Sequence, residues 1–238
     1  MGVFQDQVVL VTGAGHQRGR SIAQAFASQG AIIALNDLTP VNLGETIHHI
    51  TKTGGRAKEY IFDMAKKMPV QALLEQILED WGRLDICIHC AQVKPNVALL
   101  DMDEWDWRRT IDVNLSSTFF LLQSAGRIMR QQGSGRMLCI LTVPEEKLDQ
   151  PGYSALLASK AGMVGLLLSG ANELGEHQVC VTGIVGGELG IVLRQALPEQ
   201  VINLPGDSTT ITGLGEAALT LCLASPEAVH GKFLYLAK

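Results

Sequence analysis

Basic blocks, interleaved aromatics and long uninterrupted apolar runs are all scarce in this chain. It has 238 residues and a formal net charge of −5, with aromatics making up only 5% of the residues. No stretch concentrates lysine or arginine, so neither nucleic acid nor an anionic membrane is an expected partner. No apolar run reads as long enough for a membrane span, and a strand begins within a few residues of the start. Neither a signal peptide nor an anchor is therefore expected, and the location implied is cytoplasmic. Repeats, low-complexity tracts and linkers are missing too, so residues 1–238 read as a single domain with a sizeable core. Cysteine is present in an odd number, at Cys87, Cys90, Cys139, Cys180 and Cys222. Most of these lie in apolar, strand-like runs, which predicts reduced, buried thiols and no disulfide framework. Cys87 and Cys90 form C-x-x-C, but inside the run I-C-I-H-C. That placement argues against a zinc or redox pair, and no metal site is expected.

What is present is regular alternation. Val8–Val11 is a short apolar run ended by T-G-A-G, a buried strand meeting a tight turn. Helical character follows at Ser21–Gln29 and a strand at Ala31–Leu35. The pattern continues with helix 41–53, strand 57–62, helix 69–81, strand 84–90, helix 104–132, strand 136–142, helix 153–175, strand 179–185, helix 214–224 and strand 232–236. This predicts an α/β fold, a Rossmann-type doubly wound parallel sheet with helices on both faces. The segment 187–213 reads as long and irregular, and loops of that length commonly act as lids. Its Arg194, with little else polar before Glu199, hints at an apolar or thioester substrate.

Three motifs carry chemistry. The first is the turn T-G-A-G-H-Q-R-G, with Gly13 and Gly19 at its outer positions. Glycine there lets a backbone approach a pyrophosphate, which a helix N-terminus then stabilises. Gln17 and Arg18 lie inside it; Arg18 reads equally as a phosphate partner or as a surface residue on the first helical turn. The second is Asp37 at the end of the next strand. An acid there bonds ribose hydroxyls and repels a 2′-phosphate, which favours NAD over NADP; the plainer reading is a helix-capping aspartate. The third is a helix running from Pro151 to Leu168 with Lys160 set among apolar residues. A buried ammonium loses hydration, so it needs a reason to be there.

In this order the motifs resemble the short-chain dehydrogenase/reductase family across essentially the whole chain. The family turn is T-G-x-x-x-G-x-G, and Gln17 stands at its middle glycine. The family's active-site helix carries Tyr-x-x-x-Lys, in which the tyrosine transfers a proton and the lysine lowers its pKa and binds the ribose. Lys160 matches, but Leu156 occupies the tyrosine position. Tyr153 lies two helical turns from Lys160, about 10.5 Å along the axis, which is too far to share a site without a change of register. Thr142 matches the catalytic serine in part, and the charged insert that follows it, V-P-E-E-K-L-D-Q-P-G-Y, is about one residue longer than usual. Asn114 matches the family asparagine that holds a water linking the lysine to solvent. Asp63 resembles the aspartate beside the adenine and reads equally as a strand-end cap. Asp85 and Ala91 match the fourth-strand motif, whereas His89, Cys90 and Gln92 replace its asparagines and glycine. His89 offers an acid–base group, but its place in a strand-end turn suits a structural hydrogen-bonder better. Gly186 and Ile191 replace the proline and threonine that follow the sixth strand in the family.

The resemblance implies NAD as cofactor, if any is bound, with Gly13, Gly19, Asp37, Asp63, Ala91 and Lys160 as its contacts. It leaves Asn114, Thr142 and Lys160 as a remnant catalytic set. Family subunits associate through two long helices, matching 104–132 and 153–175, and through a C-terminal segment like G-K-F-L-Y-L-A-K. Some family assemblies pair a silent subunit with an active paralogue, including ones acting on hydroxyacyl thioesters. Partners implied are such a paralogue, or a second copy of this chain, in a dimer or tetramer. The leading expectation is a catalytically silent subunit of a hetero-oligomeric dehydrogenase. The competing one is an active NAD-dependent oxidoreductase with an atypical proton donor at Thr142, Tyr153 or His89, and a third is a cofactor-sensing regulator that uses Asp37 and Lys160.

Overall fold

The computed structural model describes residues 2–142, 151–203 and 211–236. The charged insert at 143–150 lies outside the described residues. Eight strands form one sheet in the order β3-β2-β1-β4-β5-β6-β8-β7, every pair parallel. The strands are β1 (Val8–Thr12), β2 (Ile32–Asp37), β3 (Arg56–Ile61), β4 (Ile86–His89), β5 (Gly135–Thr142), β6 (Val179–Gly186), β7 (Val201–Asn203) and β8 (Phe233–Leu236). The helices are α1 (Gln17–Ser28), α2 (Leu43–Lys52), α3 (Lys67–Trp81), α4 (Glu104–Ile111), α5 (Ser117–Gln132), α6 (Ser154–Gly175), α7 (Gly187–Ala196), α8 (Ile211–Leu223) and α9 (Pro226–Val229).

The side-chain period of two divides each inner strand between two cores. Val8 and Leu10 join Leu73, Leu121, Leu156 and Met163 on the face covered by α3, α5 and α6. Val9 and Val11 join Ile22, Phe26, Leu43 and Leu221 on the face covered by α1, α2 and α8. A strand buried on both faces must be apolar throughout, which is why β1 reads V-V-L-V with no alternation. At the amino edge, Asp85 Oδ2 accepts from Val8 N at 2.8 Å and Arg83 Nε at 2.8 Å, tying β1 to the start of β4.

The predicted helix 104–132 is continuous but has a wide π turn at Asp112–Ser116 between α4 and α5. Hydroxyls bond back within it: Ser117 donates to Val113 O at 2.5 Å and Thr118 to Asn114 O at 2.8 Å. Three expectations need correction. The first helix starts at Gln17, not Ser21, because Gly19 lets it pack directly on the turn below. Segment 187–213 is not wholly irregular: Gly187–Ala196 is helical, and Val201–Asn203 adds an edge strand to β8. Finally, α6 has 22 residues and a mean hydropathy of 1.4, long and apolar enough to cross a membrane by length and composition. Lys160 interrupts its apolar run, which hid that length in the sequence, and here the helix packs on the sheet.

The edges of the sheet differ from its middle. β3 exposes Arg56 and Glu59, Arg56 pairs with Asp6, and Lys58 pairs with Asp80 at 2.6 Å. β7, at the other edge, spans three described residues.

Candidate functional site

The strand order reverses between β1 and β4, and their carboxyl ends open the crevice where ligands of doubly wound sheets bind. The two turns nearly touch. Gly13 has a φ of +64°, and a Cβ there would lie 2.9 Å from Ala91 Cα. Gly19 brings α1 down onto the same turn, where a Cβ would meet Gly13 O at 2.4 Å. The glycines recognised in the sequence thus permit close backbone packing, and Ala91 shares the contact.

A hydrogen-bond chain lies beneath the crevice. Thr12 Oγ1 accepts from Cys90 N and Ala91 N at 3.2 and 3.3 Å, so its own proton goes to His89 Nδ1 at 2.8 Å. His89 Nε2 then donates to Ser117 Oγ at 2.8 Å, and Ser117 donates to Val113 O. Every proton is assigned with the imidazole neutral. Burial, and then the positive charge of Lys160, pushes the pKa of His89 down to about 3. His89 is therefore a structural hydrogen-bonder, not an acid–base group.

Asn114 is also fully employed. Its Oδ1 accepts from Val93 N at 2.8 Å, and its Nδ2 donates to Val93 O and to Ser159 Oγ, both at 3.0 Å. It clamps the loop after β4 against α6, through Ser159, which donates to Leu156 O at 2.7 Å. Ser117 and Ser159 were missed as site residues; the signal was their presence as hydroxyls on otherwise apolar helix faces.

Lys160 is 1% exposed, and its Nζ donates to Ile140 O at 3.0 Å. Burial first, then repulsion from Arg18, lowers its pKa to about 8. Arg18 is half-buried, not a free surface residue, and stands within electrostatic reach of Cys90 and Lys160. Gln17 beside it is exposed. The Cys90 and Cys139 thiols are pushed up to about 12 by burial, so both stay protonated and neutral. All five cysteines are free and buried.

No break in the helix brings Tyr153 to Lys160. Leu157 N donates to Tyr153 O at 2.8 Å and α6 runs on without a bulge, so the two residues stay two turns apart. Leu156, 1% exposed, faces the core. Tyr153 is 2% exposed, with Lys94 Nζ 3.7 Å above its ring centroid, and its hydroxyl has no hydrogen-bond partner among the described residues. The Thr142 hydroxyl, at the end of β5, is likewise buried and without a partner among the described residues.

The far end of the crevice is a cavity of about 180 Å³ lined by Asp37, Phe62, Asp63, Ala91 and Gln92 among others. Asp37 accepts from Gly15 N at 3.0 Å and Leu38 N at 2.7 Å, one bond to each oxygen, and so does not cap α2. Asp63 accepts from Ala65 N at 3.0 Å, the strand-end cap, while still lining the cavity. This end suits the adenosine half of NAD, because each carboxylate keeps free lone pairs for hydroxyls or an amine. The Lys160 ammonium is held on a backbone carbonyl, with the half-buried Arg18 within electrostatic reach of it.

Comparison with known proteins agrees with the architecture. Residues 7–201 match the family model of short chain dehydrogenases. Over 241 residues the chain is 30% identical to the short-chain reductase protein NovJ of Streptomyces niveus, covering 100% of this chain and 89% of that protein. It is 30% identical over 200 residues to the (2S)-[(R)-hydroxy(phenyl)methyl]succinyl-CoA dehydrogenase subunit BbsD of Thauera aromatica, covering 84% of this chain and 79% of the relative. A 28% identity over 221 residues links it to human (3R)-3-hydroxyacyl-CoA dehydrogenase, across 90% and 85% of the two chains. Among solved structures, a putative short-chain dehydrogenase/reductase from Burkholderia xenovorans superposes with a TM-score of 0.83 at 26% identity, covering 99% and 97% of the two chains. A chain with this sheet order, this glycine turn and these relatives belongs to the short-chain dehydrogenase family.

Proposed function

We propose that this chain is a catalytically silent subunit of a hetero-oligomeric short-chain dehydrogenase, paired with an active NAD-dependent paralogue that acts on hydroxyacyl or ketoacyl thioesters. One observation carries the reading. Position 156, one turn before Lys160, holds a core leucine, and the regular helix keeps Tyr153 a further turn away. General acid–base catalysis contributes about 10²–10⁴-fold, and among the described residues no side chain of α6 supplies a phenol one turn before this lysine. Relatives described as a CoA-ester dehydrogenase subunit and as hydroxyacyl-CoA dehydrogenases support the substrate class and the subunit role.

The outer faces of α5 and α6 support the partnership. Between them lies a groove of about 320 Å³ lined by Phe119, Leu122, Gly126, Leu166 and Gly170 among others. Phe119 is 43% exposed, and Leu157, Leu166 and Leu168 are only partly buried. A second subunit laid along this face would cover them. The test is to produce the chain alone and together with an active short-chain dehydrogenase encoded in the same genome. Native mass spectrometry should show a mixed complex, and turnover of a hydroxyacyl-CoA should depend on the paralogue alone. Ordinary turnover by the isolated chain would sink the proposal.

The competing reading, an active oxidoreductase with an unusual proton donor, draws on the hydroxyls of Thr142 and Tyr153, both without a hydrogen-bond partner among the described residues. If the isolated chain proves active, Thr142→Val and Tyr153→Phe decide it; full activity in both variants removes this reading.

A further inference from the structure

The groove between the outer sides of α5 and α6 changes character along its length. Residues three and four apart share one side of a helix, so Phe119, Leu122, Gln123, Arg127 and Arg130 form one wall. Leu166, Gly170 and Glu173 belong to the other, and His177 follows at its end. The amino half is apolar, with Phe119, Leu122 and Leu166. Glycine deepens its floor. A Cβ on Gly126 would meet Leu174 Cδ2 at 3.1 Å, and one on Gly170 would meet Leu122 Cδ1 at 3.6 Å. The carboxyl half carries the exposed side chains of Arg127, Arg130 and His177.

Charge at that end is unbalanced. Among the described residues neither the Arg127 nor the Arg130 guanidinium makes a hydrogen bond or ion pair. Of the described residues lining the groove, Glu173 alone is acidic, and its Oε1 accepts from Ser169 Oγ at 3.2 Å. Two full positive charges therefore face one negative charge. Gln123 stands where the two halves meet, one turn from Phe119 and one from Arg127. Its Oε1 is buried without a partner among the described residues, which is costly for an amide. Turned over, the same amide offers two N–H donors beside the arginines. The planar fork of arginine matches the two oxygens of a carboxylate, and a neutral head group offers no such match.

We propose that this groove binds a free, unbranched aliphatic monocarboxylate. The chain lies along Phe119, Leu122 and Leu166, and the carboxylate is held by Arg127, Arg130 and the Gln123 amide. The volume of about 320 Å³ lies at the lower end of the roughly 300–1,000 Å³ of small-ligand sites. From Phe119 to Arg130 the helix rises about 16 Å, which spans a medium-length chain and its head group. A chain with a net charge of −5 and no basic block is repelled by an anionic bilayer, so the source is a free acid and not a lipid headgroup. The groove belongs to the face assigned above to a second subunit, so ligand and subunit compete for it. That competition rests on the subunit reading; binding of the carboxylate does not.

Calorimetric titration of the chain produced alone, with octanoate and with 1-octanol, tests it. Octanoate should bind at submillimolar concentration and at least tenfold more tightly than octanol. Joint substitution of Arg127→Gln and Arg130→Gln should weaken octanoate at least tenfold and leave octanol unchanged, whereas Phe119→Asp should abolish both. Circular dichroism checks that the variants fold, and raised salt repeats the test on the unaltered chain: octanoate should weaken and octanol should not. The proposal is overturned if octanoate fails to bind at millimolar concentration, if octanol binds as tightly, or if the double variant keeps its affinity. Retention on phosphatidylglycerol vesicles would overturn it in favour of a headgroup. Absence of binding together with a dimeric mass would give the groove to a second copy instead. Neither turnover nor mixed assembly enters these titrations, so the subunit reading stands or falls separately.

Discussion

A histidine in a cleft invites a catalytic reading, and the bonds around His89 explain why it has no proton to trade. Its two nitrogens are consumed by Thr12 and Ser117 in one direction only, and the chain ends on a carbonyl. The sign of its effect on stability follows. Its folded pKa, about 3, lies below the ordinary 6.5, so between those values the unfolded chain binds a proton that the native one refuses. Its contribution is fully present above pH 6.5 and is lost as pH falls, at up to about 1.4 kcal/mol per unit. His89→Asn should cost about 1–3 kcal/mol at neutral pH, because Thr12 and Ser117 lose a fitted partner. In urea titrations at pH 7 and pH 5, the gap between wild type and His89→Asn should narrow at the lower pH. An unchanged gap would mean that the imidazole titrates normally. Little of this was legible beforehand. The sequence places His89 in a strand-end turn, but neither Ser117, 28 positions away, nor Thr12, 77 away, is linked to it by any local pattern. Arg18 is a similar case: first-turn position alone leaves its exposure open, and only the fold leaves it half-buried.

Elements were far easier to read than their contacts. Strands buried on both faces announce themselves as apolar runs, and glycine marks the turns, so the parallel sheet followed from alternation. The short pieces in 187–213 did not show, because three residues of β7 carry no period and α7 opens on G-G-E-L-G, which discourages a helical assignment. The glycines inside helices separate into two kinds. Gly19 in α1 faces a backbone oxygen with no room for a methyl, whereas Gly165 in α6 has nothing within 4 Å. Gly19→Ala should lower stability by about 3 kcal/mol or more, since the obstacle is main chain and α1 must lift from the turn. Gly165→Ala should raise the stability of the isolated chain by about 0.5–1 kcal/mol through helix propensity. Thermal unfolding of both variants checks the contrast. A mild effect at Gly19 would show that the turn beneath α1 yields easily.

For the molecule as a whole, the question is which surface meets another chain. Phe119→Asp places a charge on the outer face of α5, where the ring is 43% exposed. It should change the stability of the separate chain by no more than about 0.5 kcal/mol, yet abolish the mixed complex in native mass spectrometry. A complex that survives the change would locate the interface elsewhere. The borders of the sheet point the same way. The run of charge along β3 and the three-residue span of β7 leave, among the described residues, no long, flat, apolar border on which a stranger's backbone could template itself. Growth by cross-β stacking is discouraged at these borders, which gives the folded chain a built-in safeguard against fibril formation even where it stands alone.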